Sequence, residues 1–123
     1  MKTILLIEDN VEILDNLKEY LELAGYGIIS ATNGEEGLEI ALQHIPDLIV
    51  CDVLMPGIDG YEVLRRLKQK PASANIPFIF SSSLSEKVDK FQAIALGAND
   101  YFVKPFEPEM IIRAIEKLAE KVV

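Results

Sequence analysis

Acidic, hydroxyl and ammonium side chains come directly after four short apolar segments of the chain. In chain order they are Glu8-Asp9, Asp52, Ser81-Ser82-Ser83 and Lys104. Clustered carboxylates repel one another, so a fold tolerates them in one place only if something cationic lies between them. Carboxylate oxygens without a His or Cys cluster favour a hard cation, and Mg²⁺ in particular binds one or two carboxylates together with waters and a phosphate. The residue types therefore favour a magnesium and phosphate site, provided that the fold brings these segment ends together.

The apolar segments have the composition of strands that are covered on both faces. They are Thr3–Ile7, Ile28–Ala31, Asp47–Cys51, Ile76–Ser81 and Asn99–Val103. Five strands that alternate with helices predict right-handed crossovers and a parallel α/β sheet with helices on both faces. Ligands of such a sheet bind at the carboxyl ends of the strands, which is where the polar side chains stand.

The segments between the predicted strands have apolar residues at the intervals that are typical of helices. Leu14, Leu17 and Leu21 mark the inner face of a first helix, and Val88, Phe91 and Ala95 mark that of a fourth. Helix starts are predicted where a capping residue lies three positions before a glutamate, namely Asn33 with Glu36, Asp59 with Glu62 and Ser83 with Glu86.

Composition limits the class of protein. The chain has 123 residues, half of them apolar, which is enough for the core of one domain and excludes a disordered chain. The first 62 residues carry 13 acidic and 2 basic side chains, and the net charge is −8, so we expect no direct binding to nucleic acid. No apolar run approaches the about 20 residues of a membrane span, and no signal peptide is visible, so we expect a cytoplasmic protein that does not enter membranes.

Cys51 is the single cysteine and His44 the single histidine, so the sequence offers no internal disulfide. We expect Cys51 to be a small buried apolar side chain and His44 to be a surface residue at the end of the second helix.

The chain, taken in order and over essentially its whole length, resembles the receiver domain of two-component response regulators. The matching segments are Ile4-Leu5-Leu6-Ile7-Glu8-Asp9, Asp47-Leu48-Ile49-Val50-Cys51-Asp52, Met55-Pro56-Gly57 with Asp59-Gly60, Pro77-Phe78-Ile79-Phe80-Ser81-Ser82, and Gly97-Ala98 before Tyr101-Phe102-Val103-Lys104-Pro105-Phe106. The resemblance implies one receiver domain over residues 1–123 and a flavodoxin-like fold with strand order 2-1-3-4-5.

The resemblance also assigns metal ligands. It implies that Asp9 and Asp52 bind Mg²⁺ directly, that Glu8 acts mostly through water, and that the backbone carbonyl of Leu54 completes the protein ligands. Mn²⁺ is an expected substitute. The family more often has Asp at the first acidic position, so Glu8 is a departure from its pattern.

By the same resemblance, Asp52 accepts a phosphoryl group from the phosphohistidine of a histidine kinase or a phosphotransfer protein. Lys104 and Ser82 contact the phosphoryl group, although the family usually has Thr at the position of Ser82. A cis peptide bond before Pro105 is expected to aim the ammonium at the site. Such a domain is a signalling switch that assists its own phosphorylation and dephosphorylation, rather than an enzyme.

The signal is implied to pass through Ser82 and Tyr101, which move together when phosphate arrives. They change the surface of the fourth helix, fifth strand and fifth helix, which binds a downstream protein or output domain and leaves open a phosphorylation-dependent homodimer. Leu54 and Leu84 are expected to flank the phosphoryl group and hinder an attacking water.

Other functions of a parallel α/β fold fit less well. Glu8-Asp9-Asn10-Val11 is neither the Ser/Thr/Gly-rich phosphate loop of a flavodoxin nor the G-x-G-x-x-G of a dinucleotide binder. A haloacid-dehalogenase-type phosphatase would need a second Asp where Val11 stands. The alternative that remains is a receiver-like module that binds proteins independently of phosphorylation.

Overall fold

The structure, a computed structural model, describes residues 2–83 and 87–120 as alternating strands and helices. The strands are β1 Thr3–Ile7, β2 Gly27–Ala31, β3 Leu48–Asp52, β4 Phe78–Ser82 and β5 Asp100–Val103. The helices are α1 Val11–Leu23, α2 Gly34–His44, α3 Gly60–Lys68, α4 Lys87–Ala95 and α5 Glu109–Glu120. The predicted alternation of strands and helices is therefore confirmed, and within the described ranges no helix is long and apolar enough to cross a membrane.

All strand pairs are parallel, and the strand order is β2-β1-β3-β4-β5, as the resemblance implied. The register aligns the carboxyl ends of the strands, because Ile7 pairs with Cys51 and Ser82 pairs with Val103. Glu8, the first residue after β1, and Asp52, the last residue of β3, therefore stand at the same level on neighbouring strands. Lys104 follows directly after β5 at the same edge of the sheet.

The sheet is buried on both faces, which explains why its central strands are apolar up to their carboxyl ends. One face packs against α2, α3 and α4, and the other packs against α1 and α5. The first face includes Leu5, Ile7, Ile49, Phe78, Phe80, Ala41, Val63, Leu64, Leu67 and Ala93. The second includes Ile4, Leu6, Leu48, Val50, Ile79, Phe102, Leu14, Leu17, Leu21, Ile111 and Ile115. Each buried Leu, Ile or Phe contributes about 1.5–3 kcal/mol, so the core fixes the positions of the strand ends.

Four of the five strands differ from the prediction by one or two residues at an end: β2 begins at Gly27, β5 begins at Asp100, and β3 and β4 are shifted at both ends. β4 begins at Phe78 rather than Ile76, because Ile76 donates its backbone N–H to Ser73 in a turn and Pro77 has no N–H for the ladder. β3 extends to Asp52, which pairs with Ser81. The phosphoacceptor candidate is thus held by the rigid sheet itself rather than by a loop.

The predicted inner face of the fourth helix is wrong at Phe91 and Ala95, whereas the side chain of Val88, its third residue, lies outside the described part of the structure. Phe91 is 74 % exposed and Ala95 is exposed, whereas Ala93 is fully buried against the sheet. Ala93 permits close approach of α4 to the sheet, and the larger apolar side chain of Phe91 then faces outward. The spacing of the apolar residues predicted a helix, but it did not predict which side of that helix packs against the sheet.

Helix starts follow the predicted capping residues where the structure describes both partners. The side-chain oxygen of Asn33 accepts from the backbone N–H of Glu36 at 2.8 Å, and that of Asp59 accepts from Glu62 at 2.9 Å. The third predicted pair, Ser83 with Glu86, and the predicted role of Leu84 fall outside the described residues.

Because Gly60 has no side chain, α3 can begin in close contact with the backbone of Asp52. A Cβ atom on Gly60 would lie 2.3 Å from the carbonyl oxygen of Asp52, which is far inside van der Waals contact. We therefore expect Gly60→Ala to lower the free energy of unfolding by about 2–4 kcal/mol in urea denaturation, since backbone rather than a flexible side chain would have to move.

Gly25→Ala is the matched control for Gly60→Ala. It introduces a side chain at a φ of 99°, but a Cβ there meets nothing within 4 Å. Its cost is therefore the left-handed backbone alone, about 1 kcal/mol. Equal losses for the two variants would contradict the steric explanation for Gly60.

Candidate functional site

Three carboxylates meet at the carboxyl edge of the sheet. One oxygen each from Glu8, Asp9 and Asp52 lies within 4.8 Å of the others. Glu8 and Asp52 are only 3 % and 6 % exposed, whereas Asp9 is exposed to solvent. Hard oxygen donors, two of them buried and one open to solvent, form a donor set that fits a small divalent cation such as Mg²⁺.

Lys104 supplies a positive charge to the same cluster. Its Nζ donates to Oδ2 of Asp52 at 3.1 Å and forms an ion pair with Oε1 of Glu8. The Lys104–Pro105 peptide bond is cis, as expected from the resemblance. One ammonium balances only one of the three carboxylates, so the site keeps a net negative charge that favours a bound cation.

The electrostatics of the cluster set the protonation of Asp52 and Lys104. Burial, reinforced by the neighbouring charge of Glu8, raises the pKa of Asp52 to about 6, although Lys104 acts in the opposite direction. Burial lowers the pKa of Lys104, but the hydrogen bond and charge of Glu8 and Asp52 outweigh it, and the net pKa is raised. Lys104 is therefore an ammonium at neutral pH, and Asp52 is mostly a carboxylate.

The β1–α1 connection holds Glu8 in place. The backbone N–H of Asn10 donates to Oε2 of Glu8 at 3.1 Å, while the side chain of Asn10 accepts from the N–H of Ile13 at 3.1 Å and caps α1. The capping pattern used above did not predict this cap, because that pattern requires a glutamate three residues after the capping residue, and Ile13 stands there. An Asn directly before a helical pattern was the available signal.

Ser82 and Tyr101 occupy buried positions on neighbouring strands. Ser82 is the last residue of β4 and is 1 % exposed. Tyr101 lies on β5, is 5 % exposed, and has its ring centroid 6.4 Å from that of Phe80. Leu54, two residues beyond Asp52, is 57 % exposed in the loop between β3 and α3.

Cys51 and His44 lie outside this chemistry, as predicted. Cys51 is fully buried, and burial raises the pKa of its thiol well above the ordinary value, so it is not a nucleophile. His44 is the exposed last residue of α2.

Comparison with known proteins identifies the family. Residues 4–116 match the family model described as the response regulator receiver domain. The chain is also 36 % identical over 121 residues to the DNA-binding dual master transcriptional regulator RpaA of Synechocystis, an alignment that covers 98 % of this chain and 50 % of RpaA. The chain belongs to the response regulator receiver domain family. The resemblance inferred from the sequence motifs is thereby confirmed.

Solved receiver structures share the fold of this receiver. The receiver domain of Francisella response regulator 1452 superposes with a TM-score of 0.91 at 28 % identity and 100 % coverage of both chains. The receiver domain of a signal transduction histidine kinase from Syntrophus aciditrophicus has a TM-score of 0.88 at 34 % identity, covering 99 % of this chain and 92 % of that one. The chain spans about half the length of the curated relatives it matches, so the receiver is one part of those proteins.

Proposed function

We propose that this receiver accepts a phosphoryl group on Asp52 from the phosphohistidine of a histidine kinase or phosphotransfer protein, in a reaction that requires Mg²⁺. The observation that carries the proposal is the meeting of Glu8, Asp9, Asp52 and Lys104 at one edge of the sheet. We also propose that residues 1–123 act as a single receiver unit in the cytoplasm. Its role is to switch, and the only chemistry that it assists is its own phosphorylation and dephosphorylation.

Asp9 and Asp52 would bind the cation directly, Glu8 through water, and Leu54 through its backbone carbonyl. When bound, Mg²⁺ or its substitute Mn²⁺ neutralises charge on the phosphoryl oxygens and orients them. Because Asp9 is exposed, the part of the site that would hold the metal stays open to a phosphodonor. Glu8 is held by the N–H of Asn10, so its carboxylate stays aimed at the cluster.

In the transfer step, a carboxylate oxygen of Asp52 attacks phosphorus as the P–N bond to the donor histidine breaks. The electron pair of that bond remains on the imidazole, which takes up a proton. A pKa of about 6 leaves Asp52 ionised and nucleophilic above neutral pH. Lys104, already within 3.1 Å of Asp52, would move its ammonium to a phosphoryl oxygen and offset the new charge there.

The switch would begin at Ser82, whose hydroxyl can donate to a phosphoryl oxygen. Ser82 pairs with Val103 in the sheet, and its carbonyl accepts from the N–H of Lys104 at 2.8 Å. A shift of Ser82 is therefore transmitted to β5 and to Tyr101, two residues before Val103. The path ends at the surface formed by α4, β5 and α5.

That surface carries exposed apolar side chains, which suits a protein partner. Phe91 is 74 % exposed, Ile94 45 %, Val103 41 % and Met110 36 %. Exposed apolar patches of this kind mark interaction sites. We propose that they bind a downstream protein, an output domain or, after phosphorylation, a second copy of the receiver. Direct contact of this acidic domain with nucleic acid is not proposed, although RpaA as a whole is described as DNA-binding.

The coupling of Asp52 to β5 through Ser82 is tested by nuclear magnetic resonance, with MgCl₂ and with acetyl phosphate as a small phosphodonor. In the wild type, we expect the backbone amide signals of Asp52 and of Tyr101 and Val103 to shift together. In Ser82→Ala, the signal of Asp52 should still shift while those of Tyr101 and Val103 stay in place, because the hydroxyl that links them is absent. Shifts at Tyr101 in both proteins would contradict the route through Ser82, and no shifts in either would favour the phosphorylation-independent module.

A further inference from the structure

Glu35 lies outside the acidic cluster, yet its carboxylate contacts the loop that leaves the site. It stands in the first turn of α2, and its Oε1 accepts from the backbone N–H of Ile58 at 3.2 Å. Ile58 belongs to the segment of residues 53–59 that joins β3 to α3. This segment begins directly after Asp52 and carries Leu54, the proposed carbonyl ligand of the metal.

The helix and the loop fit against each other closely. Gly57 has a φ of 81°, and a Cβ atom there would lie 2.8 Å from Oε1 of Glu35. From the other side, a Cβ atom on Gly34 would lie 2.6 Å from Cγ1 of Ile58. The carboxylate of Glu35 therefore packs against the backbone of Gly57, where any larger residue would push it away.

The rest of the loop is held at its two ends and by apolar side chains that pack against the core. The N–H of Gly60 donates to the carbonyl of Val53 at 2.8 Å, and Asp59 caps α3. Glu35 adds an attachment in the middle of the segment, and it comes from a different helix. The loop that carries Leu54 is thus fixed both at its ends and in its middle.

The neighbouring glutamate makes a different contact. Glu36 accepts at 3.4 Å from the backbone N–H of Thr32, next to the residue that caps α2, so its carboxylate acts within its own helix start. An acidic side chain in a first helical turn is favourable at any such position. That general effect accounts for Glu36, but it does not explain why Glu35 reaches the loop of β3.

We propose that Glu35 is a positioning residue that sets the magnesium affinity of the receiver by holding the β3–α3 loop. The inference rests on the proposed function, because it assumes that Leu54 offers its carbonyl to Mg²⁺. Without Glu35, the loop would have to be ordered when the metal binds, and that entropy cost would weaken binding. Loss of such an outer contact typically reduces metal affinity by a factor of about ten or more.

The test is a titration of the purified protein with MgCl₂, followed by the amide signals of Val53 and Gly57, together with thermal unfolding in the absence of metal. We expect Glu35→Ala to weaken magnesium binding about tenfold. Glu35→Gln should bind like the wild type, because its amide oxygen can still accept from Ile58. Glu36→Ala is the matched control and should unfold at a lower temperature while it keeps wild-type magnesium affinity.

Three results would overturn the inference. Wild-type affinity in Glu35→Ala would show that the loop needs no attachment there. Equal weakening in Glu35→Ala and Glu35→Gln would show that the charge matters rather than the hydrogen bond. If the wild type itself bound no Mg²⁺, the proposed function would fail together with this inference, whereas the first two results leave the proposed function intact.

Discussion

Replacing Lys104 by methionine is expected to destabilise the metal-free receiver by about 3 kcal/mol at neutral pH. The ammonium of Lys104 is the partner of both Glu8 and Asp52, and these two carboxylates are almost fully buried. Methionine has a similar length but no charge, so two buried carboxylates would face each other without the cation that now separates them. The loss should grow as the pH rises through the pKa of Asp52, about 6, because the Asp52 carboxyl then becomes more fully ionised.

Urea denaturation of the wild type and Lys104→Met, with and without MgCl₂, measures this effect. Mg²⁺ should restore much of the lost stability, because a cation that binds only the folded state stabilises it by mass action. Lys90→Met, which removes an exposed lysine of α4, serves as the control and should change the stability by less than about 0.5 kcal/mol. A metal-free Lys104→Met protein as stable as the wild type would contradict the role of Lys104 in neutralising the cluster.

Asp52→Asn is expected to have the opposite effect and to stabilise the metal-free receiver by about 1–2 kcal/mol at pH 7.5. Burial and Glu8 raise the pKa of Asp52 from 3.8 to about 6, so the folded state holds a proton more tightly than the unfolded state does. Wild-type stability therefore falls as the pH rises from about 4 to about 6, and the full cost of the charge is present above that window. The magnitude is below the full value of the shift because the site lies at the solvent-facing edge of the sheet.

The gain in Asp52→Asn should therefore depend on pH in a specific way. Below about pH 3 Asp52 is protonated in both states, and the variant and the wild type should be equally stable. Thermal unfolding at pH 3 and pH 7.5 without metal checks this, with Asp15→Asn as a control that removes an exposed carboxylate of α1. A gain of equal size at both pH values would show that it does not come from the charge of Asp52.

The sequence was sufficient to predict the fold because the signals were local and repeated. The central strands are apolar up to their carboxyl ends, as strands covered on both faces must be, and capping residues such as Asn33 and Asp59 mark the helix starts. Parallel strands then require that the carboxyl ends of β1, β3 and β5 stand at one edge of the sheet. The convergence of Glu8, Asp52 and Lys104 follows from this topology.

Features that depend on distances between elements could not be predicted. The sequence does not reveal that one ammonium contacts both Glu8 and Asp52, nor how strongly burial raises the pKa of Asp52. The contact of Glu35 with Ile58 joins residues 23 positions apart and has no sequence pattern of its own. Phe91 shows the same limit, because periodicity located it on a helix face but could not say that the face is exposed.

Asp52 is the proposed phosphoacceptor, and intact mass after incubation with acetyl phosphate tests this role directly. The wild type and Asp52→Asn are each incubated with and without MgCl₂. We expect that the wild type gains the mass of one phosphoryl group only when Mg²⁺ is present, and that Asp52→Asn gains none. An unchanged mass of the folded wild type with Mg²⁺, or an equal gain in Asp52→Asn, would contradict this role.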